Sequence, residues 1–176
     1  MKPPFSLFVI VIFCCSFVKQ NSDYLNWEPN RHLSFSDFKG TAPSNISSKS
    51  AVNSSISISY QISQIPGKTP EVIIFNKFDR SGSWIKLKTR EILDLQQIHF
   101  DYSELYARKI RKEIMVLKHK KVTEKEKYIY TITKFANRLN KLKNKENALL
   151  YDQPHLIKIM KKDVSDSLKL YADYTK

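Results

Sequence analysis

Thr89-Arg-Glu-Ile-Leu-Asp-Leu-Gln-Gln-Ile-His-Phe-Asp-Tyr-Ser-Glu-Leu-Tyr-Ala-Arg-Lys-Ile-Arg111 is the stretch on which the fold turns. From about Thr89 the apolar period is helical. Ile92, Leu95, His99, Tyr102, Tyr106, Ile110, Ile114 and Leu117 step by three or four residues. That spacing lays them along one face of a helix of roughly eight turns.

Upstream of this run the period is two. Ile56, Ile58, Tyr60 and Ile62 alternate with Ser57, Ser59 and Gln61, the pattern of a half-buried strand. Pro66-Gly67 reads as a turn, and Glu71 to Phe78 as a second strand. Asp79-Arg-Ser-Gly82 reads as another turn. Ser83 to Leu87 is then a third short extended piece or the lead into the helix. Residues 20–26 read as an exposed lead-in. Downstream, Thr123-Glu-Lys-Glu126 has the form of a capping box. It opens a second helix carrying Ile129, Ile132, Phe135, Ala136, Leu139 and Leu142. A third helix starts near Asp152 or Pro154 and carries Ile157, Met160, Val164, Leu168 and Tyr171. The expected class is α+β, a small antiparallel β-meander followed by a long helix and two further helices.

The N-terminus reads differently from the rest. Phe5 to Val18 is an apolar run behind Lys2, too short to span a bilayer comfortably. Residues 1–20 are therefore expected to be a signal peptide, and residues 21–176 a single domain. The two cysteines, Cys14 and Cys15, both lie in this leader. The rest of the chain then has no disulfide, no thiolate metal site and no cysteine nucleophile. The expected location is secreted or periplasmic. Membrane contact would come only through the leader or a lipid anchor at Cys14 or Cys15. The formal net charge of +13 sits largely in Arg108–Lys121 and Lys134–Lys145, which read as solvated lysine faces. A partner would be another protein or an anionic envelope component. No nucleic-acid-binding motif is present, and nucleic acid is not expected.

The chemistry of the central helix rests on two missing letters. A helix reading His-Glu-x-x-His aims two imidazoles at one zinc ion, and its Glu takes a proton from the metal-bound water. Here the second His is His99. Leu95 stands at the first-His position and Gln96 at the Glu position. Leucine cannot bind zinc, and a neutral amide cannot act as a general base. Around them, Glu91-x-Leu93, Gln97, His99-Phe-Asp101, Glu104-Leu-Tyr-Ala-Arg108 and Arg111 fall in one ungapped register. This run resembles the helix of a family of secreted bacterial domains described as probable zinc-dependent proteases, His-Glu-x-x-His-Phe-Asp-x-x-Glu-x-Tyr-Ala-Arg. Trp27, Arg31, Leu33, Phe35, Asp37, Phe38 and Gly40 match the same family's N-terminal pattern.

The resemblance implies a zincin-like helix lying on a sheet. It also implies a zinc site to which the family's later Tyr-Asp-x-x-Thr-x-His element adds a ligand. The nearest match here is Tyr151-Asp-Gln-Pro-His155, in which the Thr is missing and the His comes two residues early. The candidate metal ligands are thus His99, Glu104 and His155, with Asp101 as the other carboxylate. Asp101, Arg108 and Arg111 read as an ion-pair set. Two functional readings follow. One is an exported, non-catalytic member of the family with no bound cofactor, acting as a binding or envelope-associated domain. The other is a zinc-dependent peptidase with a rearranged site built from His99, Glu104 and His155.

Overall fold

The computed structural model describes residues 23–45, 51–150 and 155–175. The leader with Cys14 and Cys15, and Tyr151–Pro154 of the Tyr-Asp element, lie outside the described residues. The architecture is α+β, as the two periods require. Strands β1 (Tyr24–Asn26), β2 (Val52–Ser63) and β3 (Glu71–Ile85) form an antiparallel sheet in the order β1-β3-β2. Helices α1 (Arg90–His119), α2 (Lys125–Leu150) and α3 (His155–Leu170) follow.

β2 and β3 pair with Ile56 opposite Phe78, Ile58 opposite Asn76 and Ile62 opposite Val72. Directly opposed residues share a face, so this register gathers the apolar set of both strands on the side covered by α1. Tyr60 belongs to that set by alternation but keeps 40% of its surface exposed. The core then divides along α1. Near its start, Leu93 and Phe100 meet Leu25, Leu33, Phe38 and Phe78. Further on, Ala107, Ile110 and Ile114 meet Ile74 and, from α2, Tyr128 and Ile132. Tyr128 donates its hydroxyl to the Val122 carbonyl (2.9 Å), which fixes the corner between α1 and α2.

Three local readings need correction. Residues 24–26 are a strand, β1, because β3 offers an edge for them to pair with. Asp79-Arg-Ser-Gly82 does not end a strand. Asp79 takes the Gly82 amide on its carboxylate (3.0 Å), and Ser83 takes the Ser55 amide on its hydroxyl (2.9 Å). The turn chemistry therefore makes a bulge, and β3 runs on to Ile85. The loop after residue 37 docks on this bulge. There Gly40 donates to the Ser83 carbonyl (2.7 Å), and a Cβ at Gly40 would lie 2.5 Å from the Ser81 carbonyl oxygen.

The third correction concerns α1 itself. The sequence shows one apolar face, yet five consecutive residues, Gln96 to Phe100, are buried. The sheet covers one side of the helix, and α2 and α3 pack against it from elsewhere. Glu104, off the apolar stripe by period, is only 3% exposed, held by Arg108 and Arg111, which reach on to α3, residue 174 and β3.

Candidate functional site

The positions where the resemblance implies metal chemistry hold bonds that build the fold. Thr89 caps α1, accepting the Ile92 amide on its hydroxyl (3.4 Å). Two turns on, Leu95 is half-buried. Gln96, at the general-base position, is buried and accepts the Ser54 hydroxyl of β2 (2.6 Å) on its Oε1. Gln97 accepts the Leu33 amide (2.7 Å) and donates its Nε2 to Asp101 (2.9 Å). Asp101 Oδ1 also accepts the Trp27 indole N–H (2.8 Å). Burial pushes the Asp101 carboxyl above the usual carboxylate range, and the bonds from Trp27 and Gln97 partly offset that push.

His99 is buried, and burial, reinforced by the charge of Lys143, lowers its pKa to about 4. It is therefore a neutral imidazole at pH 7. Glu104 is held from both sides. Its Oε1 accepts Arg108 Nε (3.1 Å) and one guanidinium N–H of Arg111 (3.0 Å). Arg108 also donates to the Leu168 carbonyl of α3 (2.7 Å). Its guanidinium lies 5.1 Å from the centre of the Trp27 ring. Arg111 donates further to the carbonyls of Ile74 (3.1 Å) and Tyr174 (3.1 Å). The ion-pair set read from sequence is thus real for Arg108 and Arg111, but Glu104 is its acid. Asp101 belongs to the separate Trp27–Gln97 group.

His155 is the first residue of α3 and is exposed. Among the described residues, no three His, Cys, Asp or Glu side chains are grouped so that they could hold a metal ion. A catalytic zinc centre wants three protein ligands and an open position for water. With Leu95 in place of one imidazole and Glu104 engaged by two arginines, the residues present do not fit that demand.

Residues of the N-terminal segment and of α1 nevertheless touch one another across the chain. Trp27 meets Asp101 and Arg108, and Leu33 meets Gln97. Asp37, buried, sits 3.4 Å from Arg80 and takes the Ser34 amide (2.8 Å). These contacts tie the N-terminal segment to α1 and β3. Compared with protein-family models, with curated proteins and with solved structures, the chain matches none.

Sequence reasoning missed a cleft of about 860 Å³. It lies where β1 ends, between the part of the β3 edge (Val72–Asn76) that no other described strand pairs with, the α1 residues Arg111, Ile114 and Met115, and Asp173–Thr175. Nothing in composition or period marks it, since its position depends on where the chain leaves β3 at Trp27–Pro29. On another surface, Lys109 and Lys112 lay their ammonium groups over Tyr171, 5.7 and 5.4 Å from its centre. There the lysine-rich run of α1 is partly stacked on aromatic rings.

Proposed function

We propose that this chain is an exported, non-catalytic member of the zinc-protease-like family its helix resembles, and that it acts as a binding domain. The observation that carries this reading is the commitment of Gln96. The residue at the general-base position is an amide, buried, and bonded to Ser54 of β2. Water activation needs a carboxylate there with access to a metal-bound water. The engagement of Glu104 by Arg108 and Arg111 supports the same reading, because a carboxylate so held is a poor metal donor. The mutual contacts of Trp27, Leu33, Gln97, Asp101 and Arg108 support the kinship, since they account physically for the spacing of the shared letters.

The test is metal content and peptide hydrolysis of the purified protein, beside the paired variants Leu95→His and Leu95→His/Gln96→Glu. The unmodified chain is expected to carry no stoichiometric zinc and to cleave nothing. Leu95→His is expected to raise zinc affinity by about tenfold or more, the worth of one added ligand contact of roughly 1.4 kcal/mol. Stoichiometric zinc in the unmodified chain, together with cleavage that a chelator stops, would overturn the proposal. His99, Glu104 and His155 would then be the ligands to mutate first.

A further inference from the structure

We propose that the edge of β3 between Glu71 and Asn76, open among the described residues, binds an extended polypeptide segment with basic side chains at its ends. The segment takes the place beside β3 that β1 leaves, a role that rests on reading the chain as a binding domain. The geometry begins with an imbalance of lengths. β3 has 15 residues, whereas β1 pairs only with Lys77, Phe78 and Asp79. The Trp27 amide still reaches the Asn76 carbonyl (3.3 Å), and beyond it the chain turns away.

At the other end of β1, Arg80 donates its amide to the Asp23 carbonyl (2.7 Å). The even-numbered residues of β3 therefore aim their backbone groups along the line of β1. Alternation gives Ile74 and Val72 the same direction, into the cleft. The Ile74 carbonyl meets Arg111 (3.1 Å) but has a second lone pair to offer. The result is a short ladder of donors and acceptors at the spacing of a strand, the arrangement that peptide addition to a sheet edge uses.

Side chains on the two faces of an incoming strand would both find apolar contacts. A residue opposite Ile74 faces Ile114 and Met115 on α1. Its neighbours fall beside Ile73 and Phe75 on the open face of the sheet. Ile73 and Met115 are 55% and 43% exposed, large fractions for such residues at the rim of one cleft. Charge selects the partner further. The chain carries +13 overall, yet this cleft presents Glu28 and Asp173, both exposed and both without an ion pair among the described residues. The cations lining it are already engaged, Arg111 by Glu104 and Lys118 by Glu71. Basic side chains at the ends of the segment complement the two free carboxylates.

The experiment titrates the full chain into a fluorescein-labelled peptide of about seven residues, long enough for the open edge at roughly 3.4 Å per residue. The peptide has lysine at both ends and alternating valine and threonine between. Two companions carry N-methyl groups on alternate amides, one in each register, and a third has aspartate ends. Saturable binding is expected. N-methylation in one register should weaken it by at least about tenfold, the loss of two or more backbone hydrogen bonds. Aspartate ends should weaken it by about threefold, and Glu28→Lys/Asp173→Lys should invert that preference. Equal binding of both N-methylated peptides, an unchanged end preference in the double variant, or no saturation at millimolar peptide overturns the site. Absence of both binding and cleavage sinks the edge site alone. Bound peptide that is cleaved in a chelator-sensitive way sinks the non-catalytic reading and leaves the edge site standing.

Discussion

Replacing Glu104 with glutamine separates a strut from a ligand. Glu104 and Arg108 have side chains 3% and 5% exposed, and Arg111 16%. The substitution keeps the shape and one acceptor oxygen but removes the charge that two guanidinium groups face. Breaking a buried pair by removing one partner costs about 3 to 5 kcal/mol, because the remaining charge is left uncompensated. Arg111 keeps some contact with water, so the low end applies, about 3 kcal/mol. For a chain of this size that lowers the melting temperature by about 10 °C. Urea denaturation at pH 7 followed by circular dichroism measures the loss directly. A double-mutant cycle with Arg108→Gln should return a coupling of about 2 kcal/mol. A loss under about 1 kcal/mol, the range of exposed pairs, or a coupling near zero would refute the strut assignment.

Three further outcomes are expected. Gly40→Ala should destabilise by about 2 kcal/mol in the same denaturation assay, because the new Cβ would fall 2.5 and 2.8 Å from the backbone oxygens of Ser81 and Ser83; an unchanged midpoint would show that the loop docks otherwise. His99, with its pKa lowered from 6.5 to about 4 in the fold, withholds a proton that the unfolded chain binds, so its contribution to stability is present above pH 6.5 and is lost as the pH falls toward 4. That loss is worth about 3 kcal/mol at 1.36 kcal/mol per pH unit, and His99→Gln should remove it from the measured stability-against-pH curve; a variant curve parallel to the wild type over this window would contradict the burial argument. Trp27→Phe removes the indole donor from Asp101 and should cost about 1 to 2 kcal/mol, read by chemical denaturation, with no loss expected if the 2.8 Å bond is absent in solution.

The elements that follow from local pattern were legible in the sequence. β2 announces itself by strict alternation, and α1 by a period held over Ile92 to Leu117. β1 did not, since three residues carry too little pattern and pair only because β3 is long. The bulge at Asp79–Gly82 misled because the residues that end a strand also make one bend within itself. That Leu95 and Gln96 cannot supply a zinc ligand and a general base is readable as letters. What Gln96 does in the fold is not, because the bond from Ser54 to Gln96 joins residues 42 apart. The same holds for Glu104. Its place on a second buried face depends on Arg108 and Arg111 reaching carbonyls of Leu168, Tyr174 and Ile74, and no single helix period records that.

The arginine pair also sets an order of assembly. Arg108 and Arg111 wait on carbonyls at Leu168 and Tyr174, 60 and 63 residues later in the chain. Until those residues have been synthesised, the guanidinium groups lack two of their acceptors, and the central helix has nothing to close over Glu104. Long-range closure of this kind slows folding, because the entropy of the intervening loop is lost before the contact rewards it. A nascent chain would therefore stay open until its last turn of helix is available. The proposed export would use that delay, since a chain still open can be threaded, with Leu168 and Tyr174 as the latch.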